Sequence, residues 1–348
     1  MAAYNPRLDF YRVLLNHKDD EFKTFHDFMC EVLNKKRVNT SKQLLVSLSD
    51  YLVSSLQGDM AVDTKTNKQV RWLNKNANIY RTYRPKPDEN SDSIIYGVLS
   101  GGRYGRNGMI TSKEVSEDEG STSALKPNSA VHKYCYFALY APMDHNEGCL
   151  VVHSNSRDES VADVIVKLIT RMFYKGQYKK PSVSRFCPQY LQQQFKDRSV
   201  LKQINIRNSY ISKDIDNIGV QNKDQDPFNN YSVQIIITPY HQSEDVQSDV
   251  NNARNLLSRL GFVRNTATTS LDKFKMRKVT MEDSTTKHVQ TFEIDKDEIE
   301  LCPIIDVRSI LPNDEDYQID GTPLIDKLHG AVIQILQNQV IPELRGNV

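Results

Sequence analysis

Positive charge is concentrated in one segment of this chain, residues 167–213. The segment holds eleven lysines and arginines and one acid, Asp197, so its formal charge is +10 while the rest of the 348-residue chain sums to −9. Charged side chains without opposite partners are costly to bury, so these residues must lie on the surface of the fold. Seven aromatic residues are interleaved with the cations. This combination is typical of a face that neutralises phosphates and stacks on bases.

Three parts of the chain supply candidate phosphate contacts. A second basic island, residues 65–86, contains no acid, and the glycine-rich run Ser100–Gly108 follows an apolar, β-rich stretch. Glycine backbone N–H groups beside arginines favour an anion-binding nest, whereas a bulged strand or a turn is the structural alternative. The candidate DNA-binding residues are Arg171, Lys175, Lys179, Lys180, Arg185, Arg207, Arg81, Arg84, Arg103 and Arg106.

These cations predict a non-catalytic, largely sequence-independent DNA-binding protein, with double-stranded DNA as the favoured ligand. A solvated charged face is the simpler interpretation, but the acids that normally accompany surface lysines are missing from the segment. A protein-interaction subunit that docks an acidic partner is a second alternative.

Acidic residues alternate with apolar ones near the C-terminal end. Glu293, Asp295 and Asp306 make a metal-dependent nuclease the rival function, because such enzymes hold Mg²⁺ with carboxylates. The same alternation is typical of a half-exposed strand. No serine or cysteine nucleophile motif occurs in the chain.

Histidines and cysteines cluster between positions 132 and 153, but their spacing does not favour zinc. His132 and Cys135 are three residues apart in a predicted strand and face opposite sides, while Cys149 and His153 are about 13 Å apart on an extended strand. No C-x-x-C pair occurs. The sequence therefore predicts no metal and no cofactor.

The pattern of elements predicts an α+β fold of two lobes, each a mixed or antiparallel sheet packed with helices. Residues 1–213 form the predicted basic N-terminal lobe, and the Asn/Asp-rich stretch 214–230 is a linker or long loop. Residues 231–348 form the C-terminal lobe, a candidate for dimerisation. The clearest elements are a strand hairpin in HKYCYFALYAP and CLVVHS, an amphipathic helix over 160–174, and a closing helix over 323–344.

Five widely spaced cysteines do not indicate a disulfide framework, so a reducing compartment is expected. The N-terminal residues lack the apolar core of a signal peptide, and no run of eighteen apolar residues could span a membrane. These features predict a cytoplasmic protein.

The order of several motifs resembles a known family. An apolar strand leads into Ser100–Gly108, then Leu125-Lys126-Pro127-Asn128, then YFALYAP and EGCLVVHS, and then an amphipathic helix. Over about residues 90–175 this order is similar to the RexA-like phage-exclusion proteins, which belong to bacterial phage defence. The resemblance implies a two-domain, dimeric, DNA-binding protein that acts in antiviral defence, and the expected partner is a second copy of the chain or a partner defence protein.

Overall fold

The computed structural model describes residues 6–34, 40–56, 60–72, 83–105, 108–110, 123–125, 130, 132–154, 160–208, 233–240, 246–259, 276–284, 287, 289–295, 298–299, 305–311 and 322–346. It confirms the predicted α+β fold and divides the chain into two compact units. Unit 1 comprises Met1–Phe186 and Ile304–Val348, and unit 2 comprises Cys187–Pro303.

The strands and helices are named in chain order. The strands are β1 (Arg7–His17), β2 (Met60–Asp63), β3 (Lys68–Trp72), β4 (Lys86–Pro87), β5 (Ile94–Arg103), β6 (Gly108–Ile110), β7 (Ser123–Leu125), β8 (Lys133–Tyr140), β9 (Glu147–Ser154), β10 (Tyr178–Phe186), β11 (Ser199–Asn208), β12 (Val233–Ile237), β13 (Met276–Asp283), β14 (Val289–Asp295), β15 (Glu298–Ile299) and β16 (Ile305–Asp306). The helices are α1 (Phe25–Val32), α2 (Ser41–Ser55), α3 (Ala162–Phe173), α4 (Gln189–Arg198), α5 (Val246–Arg259), α6 (Val307–Ile310), α7 (Thr322–Ile335) and α8 (Ile341–Leu344). A π-helical turn, Leu336–Val340, joins the last two helices. Among the described helices, none is long and apolar enough to cross a lipid bilayer.

Unit 1 is built on a nine-stranded antiparallel sheet with the order β10-β1-β9-β8-β5-β3-β2, in which β16 also pairs with β1 and β4 with β5. The predicted hairpin is confirmed as β8 and β9. Nearly every residue of these two strands is buried, because both faces of the sheet are covered. Strands β6 and β7 form a separate two-stranded sheet.

Helices α1, α2 and α3 cover one face of this sheet. The predicted amphipathic helix is α3, whose buried residues recur at intervals of three and four. A capping box begins α1, since the Thr24 side chain accepts from the Asp27 N–H while the Asp27 carboxylate accepts from the Thr24 N–H. Phe28 packs edge-to-face against Phe173 of α3 and Tyr178 of β10, with ring centroids 5.1 and 5.0 Å away.

Helix α7 covers the opposite face. Phe137 and Leu139 of β8 belong to the core under α1–α3, and the intervening side chains point the other way. Tyr136 of β8 bonds to His329 of α7, which places α7 on that second face. Ile325, Leu328 and Val332 of α7 are fully buried there. The sheet of unit 1 is therefore the middle of three layers.

Unit 2 contains a five-stranded antiparallel sheet with the order β12-β11-β13-β14-β15. Val250 and Leu257 of α5 and Phe195 of α4 share its core with the apolar side chains of β11, β13 and β14. The opposite face of the sheet carries polar residues such as Asn205 and Thr280, whose strand neighbours lie in the core.

The division of the chain differs from the predicted lobes. Residues 214–230, the predicted linker, lie outside the described residues, but the strands on either side of them, β11 and β12, pair with each other. The change of unit comes between Phe186 and Cys187 instead. The closing helix, assigned by sequence to the C-terminal lobe, packs on the sheet of unit 1. Proximity along the chain is a poor guide when a sheet pairs strands that are far apart in sequence.

The apolar residues of 300–310 predict a further strand, and the structure corrects this prediction in the described part. Only Ile305–Asp306 is extended, and it pairs with the start of β1. The next four residues form the short helix α6. Ile305 of the strand and Val307 of the helix are both buried, so hydrophobicity did not distinguish the two conformations.

Candidate nucleic-acid interface

The structure describes eight of the ten candidate cations, and they lie on several different elements. Arg81 and Arg106 lie outside the described residues. Arg207 is on β11 and belongs to unit 2, whereas the other described candidates belong to unit 1. They are Arg84, Arg103, Arg171, Lys175, Lys179, Lys180 and Arg185.

Arg185 is bound to a buried acid that sequence reasoning did not associate with it. Its guanidinium donates to the carboxylate of Asp9 on the neighbouring strand β1. The Asp9 side chain is 1% exposed, and Nε of Arg7 lies 3.5 Å from its other oxygen. Burial, followed by the charge of Asp9, raises the pKa of the adjacent Tyr11 to about 12. Removing Arg185 would leave a buried carboxylate short of one partner, so this arginine has a structural role.

Three further candidates make weaker contacts at the surface. Arg84 donates to Asp50 at 3.1 Å, and both side chains are about half exposed. Arg171 donates to the Ser55 carbonyl at 3.4 Å, and Nζ of Lys175 lies 4.9 Å from the ring centroid of Tyr51. Exposed contacts of these kinds contribute little, so the cations remain able to exchange partners.

The first part of the glycine-rich run, up to Arg103, belongs to the strand β5. Gly101 and Gly102 are residues of β5, paired with Val70 and Gln69 of β3, so this part does not form an anion nest. Arg103 is the exposed last residue of β5. An extended backbone directs successive N–H groups to opposite sides, whereas a nest needs them to converge.

Lys179 and Lys180 agree best with the expectation of exposed cations that have no acidic partner. Both are exposed on β10, the last strand of the sheet order, and neither forms an ion pair with any described residue. Lys175 precedes them, and the backbone N–H of exposed Lys18 donates to the Gln177 carbonyl at 3.0 Å, so four lysines share this part of the surface. We call Lys18, Lys175, Lys179 and Lys180 the β10 edge.

The β10 edge is also protected against pairing with another strand, and acidic residues lie near it. Pro181 follows the lysines, and β10 has one more residue than β1 between the pairs Leu14–Ser182 and Asn16–Lys179. Lysine, proline and a bulge all protect a strand edge from pairing with another chain. Acids also lie nearby, since Glu31 is within 2.9 Å of Lys23 and 3.4 Å of His17. The edge is therefore cationic but has acidic neighbours.

A polar cluster between the sheet and α7 had no signal in the sequence. Nε2 of His329 lies 3.0 Å from Oδ1 of Asp88, and its Nδ1 lies 2.9 Å from the hydroxyl of Tyr136. The imidazole stacks on Tyr96 with ring centroids 3.6 Å apart. Burial lowers the pKa of His329, against the opposing effect of its bond to Asp88. Asp88 lies 241 positions and Tyr136 193 positions from His329 along the chain, so no local sequence pattern could connect them.

His132 and His153, two histidines of the 132–153 cluster, lie in environments that differ from a zinc site. His132 lies 3.1 Å from the Ser100 hydroxyl and 2.8 Å from the Gln69 amide, and burial, followed by the charge of Arg71, lowers its pKa. His153 is fully buried, and neither of its ring nitrogens has a hydrogen-bond partner among the described residues. Across that described part of the chain, no three His, Cys, Asp or Glu side chains are grouped so as to hold a metal ion.

The carboxylates of the rival nuclease hypothesis lie in different units. Glu293 and Asp295 are on β14 in unit 2, while Asp306 is on β16 in unit 1. The positions of their side chains lie outside what the structure describes.

Comparison with known proteins adds no family assignment. No protein-family model matches the chain, and no curated protein matches it either.

Proposed function

We propose that unit 1 binds double-stranded DNA through the β10 edge, largely without regard to base sequence. The observation that carries the proposal is the pair Lys179 and Lys180, adjacent, exposed and without an ion-pair partner among the described residues. Lysines of this kind neutralise backbone phosphates and release the counterions condensed on the duplex.

The type of side chain supports binding that does not read bases. Lysine presents a compact charge on a flexible stem, which suits phosphate contact but not the bidentate pattern by which arginine reads guanine. Phosphate contacts set the position of a protein on the duplex and carry no sequence information directly.

Charge reversal at both lysines tests the proposal. The variant Lys179→Glu with Lys180→Glu is expected to bind duplex DNA about tenfold or more weakly, because two phosphate contacts are replaced by repulsion. The slope of log affinity against log salt is expected to fall by about 2. Glutamate keeps the strand edge charged, so protection against edge pairing is retained and the change reports binding. Fluorescence anisotropy with duplex DNA, single-stranded DNA and RNA at several salt concentrations measures both quantities.

A matched control reverses two exposed lysines elsewhere in unit 1, Lys42 on α2 and Lys133 at the start of β8. This variant carries the same net charge and is expected to bind as the wild type does. Equal losses in the two variants, or wild-type affinity and salt slope in the first, contradict the assignment. Mg²⁺ or Mn²⁺ added to a plasmid sample tests the rival, since turnover of the DNA favours a nuclease.

We also propose that this binding serves antiviral defence, which the resemblance to phage-exclusion proteins supports. Bacteria that express the wild-type chain are expected to plate phage less efficiently than bacteria that express the Lys179→Glu, Lys180→Glu variant. Equal plating by the two strains, with equal protein levels, would count against the defence role but not against DNA binding. The same resemblance supports a homodimer, which sedimentation equilibrium measures.

A further inference from the structure

The contact between α7 and the sheet of unit 1 depends on one histidine held by groups from three other elements. His329 is hydrogen-bonded to Asp88, which follows β4, and to Tyr136 on β8, and it stacks on Tyr96 of β5. The Asp88 and Tyr136 side chains are buried, and His329 is largely buried, with 14% of its side chain exposed.

The hydrogen bonds define where the protons lie. An ionised carboxylate only accepts, so Nε2 of His329 carries its proton and donates to Asp88. Nδ1 is then the acceptor, and the Tyr136 hydroxyl donates to it. A neutral imidazole satisfies every polar group in this chain of contacts. A second proton, on Nδ1, takes away the acceptor of the Tyr136 hydroxyl, which is 0% exposed and cannot turn to water.

We propose that His329 is an acid-sensitive anchor, and that its protonation loosens α7 from the sheet. The detached helix exposes His329 to water, where an extra proton costs nothing in lost hydrogen bonds. In the docked helix, a protonated His329 leaves the buried Tyr136 hydroxyl hydrogen without an acceptor, so the docked state disfavours the proton. Mild acid therefore raises the population in which α7 is open. This inference is independent of DNA binding.

The other charged groups around His329 shift its pKa in opposite directions. Asp88 and Asp326, which is one turn earlier on α7 and accepts from the Tyr83 hydroxyl at 3.0 Å, favour the charged imidazole. Lys86, whose Nζ lies 5.5 Å from the Tyr96 ring centroid, opposes it together with burial. Burial is the largest of these effects, and the pKa of docked His329 lies below its usual value.

The direction of the pH dependence follows from this. A histidine whose pKa is depressed in the docked state contributes full stability above its free pKa, about 6.5, and loses it as the pH falls below that value. Within the window between the two pKa values, the opening equilibrium changes by about tenfold for each pH unit. Apolar burial of Ile325, Leu328 and Val332 keeps most molecules docked, so the effect is a larger open population.

Amide hydrogen exchange tests the anchor in the full-length His153→Leu variant, which removes the other buried histidine of unit 1 whose protonation would lower the protection of the whole sheet. Peptides from α7 are expected to lose protection, by up to about tenfold, when the pH is lowered from about 7 to about 5.5, with labelling times scaled to hold intrinsic exchange constant. Peptides from β8 and β9 are expected to keep their protection, because the sheet itself stays folded. Unchanged protection of α7, or loss of protection in α7 and the sheet together, overturns the proposal.

Two variants separate the anchor from a merely structural contact. His329→Gln cannot titrate, so α7 is expected to be less protected at neutral pH and to lose its dependence on pH. Tyr136→Phe removes the hydroxyl that competes for Nδ1, so a shallower dependence is expected even if the glutamine variant does not fold. His26→Gln, an exposed histidine on α1, serves as the control and is expected to behave as the wild type. A wild-type pH profile in Tyr136→Phe also overturns the proposal.

Discussion

Replacing Gly148 with alanine is expected to destabilise unit 1 by about 3 kcal/mol or more, a large part of the stability of an ordinary domain. Gly148 is buried at the start of β9, where the chain passes close to the end of β8. A Cβ at this position would collide with the backbone carbonyl oxygen of Tyr140 and lie 3.2 Å from the Phe25 ring. A backbone carbonyl in a sheet cannot move without disturbing its neighbours, so the strain spreads to β1 and α1.

Urea unfolding followed by tryptophan fluorescence measures this effect. The chain has a single tryptophan, Trp72, on β3, so its signal reports unit 1. The matched control is Gly330→Ala in α7, where an added Cβ meets no atom within 4 Å. This control variant is expected to be about 0.5–1 kcal/mol more stable than the wild type, because alanine loses less conformational entropy than glycine when a helix forms. If Gly148→Ala unfolds at the wild-type urea concentration, the close approach of β9 to Tyr140 is wrong.

Replacing His153 with leucine is expected to make unit 1 much more resistant to acid. Burial lowers the pKa of His153 to about 3, and neither ring nitrogen has a described partner that could hold an added proton. The unfolded chain binds the proton near pH 6.5, so stability is present above that value and is lost as the pH falls towards 3. Each pH unit in this window removes about 1.4 kcal/mol, which is about 2 kcal/mol at pH 5. Leucine has a similar volume and no proton to bind.

The measurement compares unfolding free energies at about pH 7.5 and pH 5 in the wild type and in His153→Leu. The variant is expected to be at least as stable at neutral pH, because a buried donor without a partner is removed. His145→Leu is the control, since that histidine is exposed in the turn between β8 and β9. Equal acid sensitivity of His153→Leu and the wild type would show that His153 does not remain neutral in the fold.

Local patterns in the sequence were sufficient for most of the secondary structure. Continuous apolar runs predicted β8 and β9, because a strand covered on both faces is apolar throughout. The 3.6-residue spacing of apolar residues predicted α3, because a helix covered on one side is apolar along that side. The α+β class followed from the same patterns. At residues 305–310, the apolar pattern did not distinguish a continuous strand from the strand and short helix that form.

The partners of the basic residues could not be predicted from the sequence. Charge along the chain does not show which acids approach from elsewhere, and Asp9 meets Arg185 from 176 positions away. The exposed pair Lys179 and Lys180 stayed as expected, because an edge strand keeps its cations in solvent. The DNA-binding role of this pair remains a prediction that the charge-reversal variants test.

The sequence by itself determined most of the strands and helices, since hydrophobic patterns act over a few residues and need no distant partner. It also determined that an excess of cations must lie at the surface. Only the tertiary structure decided the boundary of the units, the acid that holds Arg185 and the contacts of His329. Each of these depends on long-range pairing in a sheet, where residues far apart in the chain become neighbours.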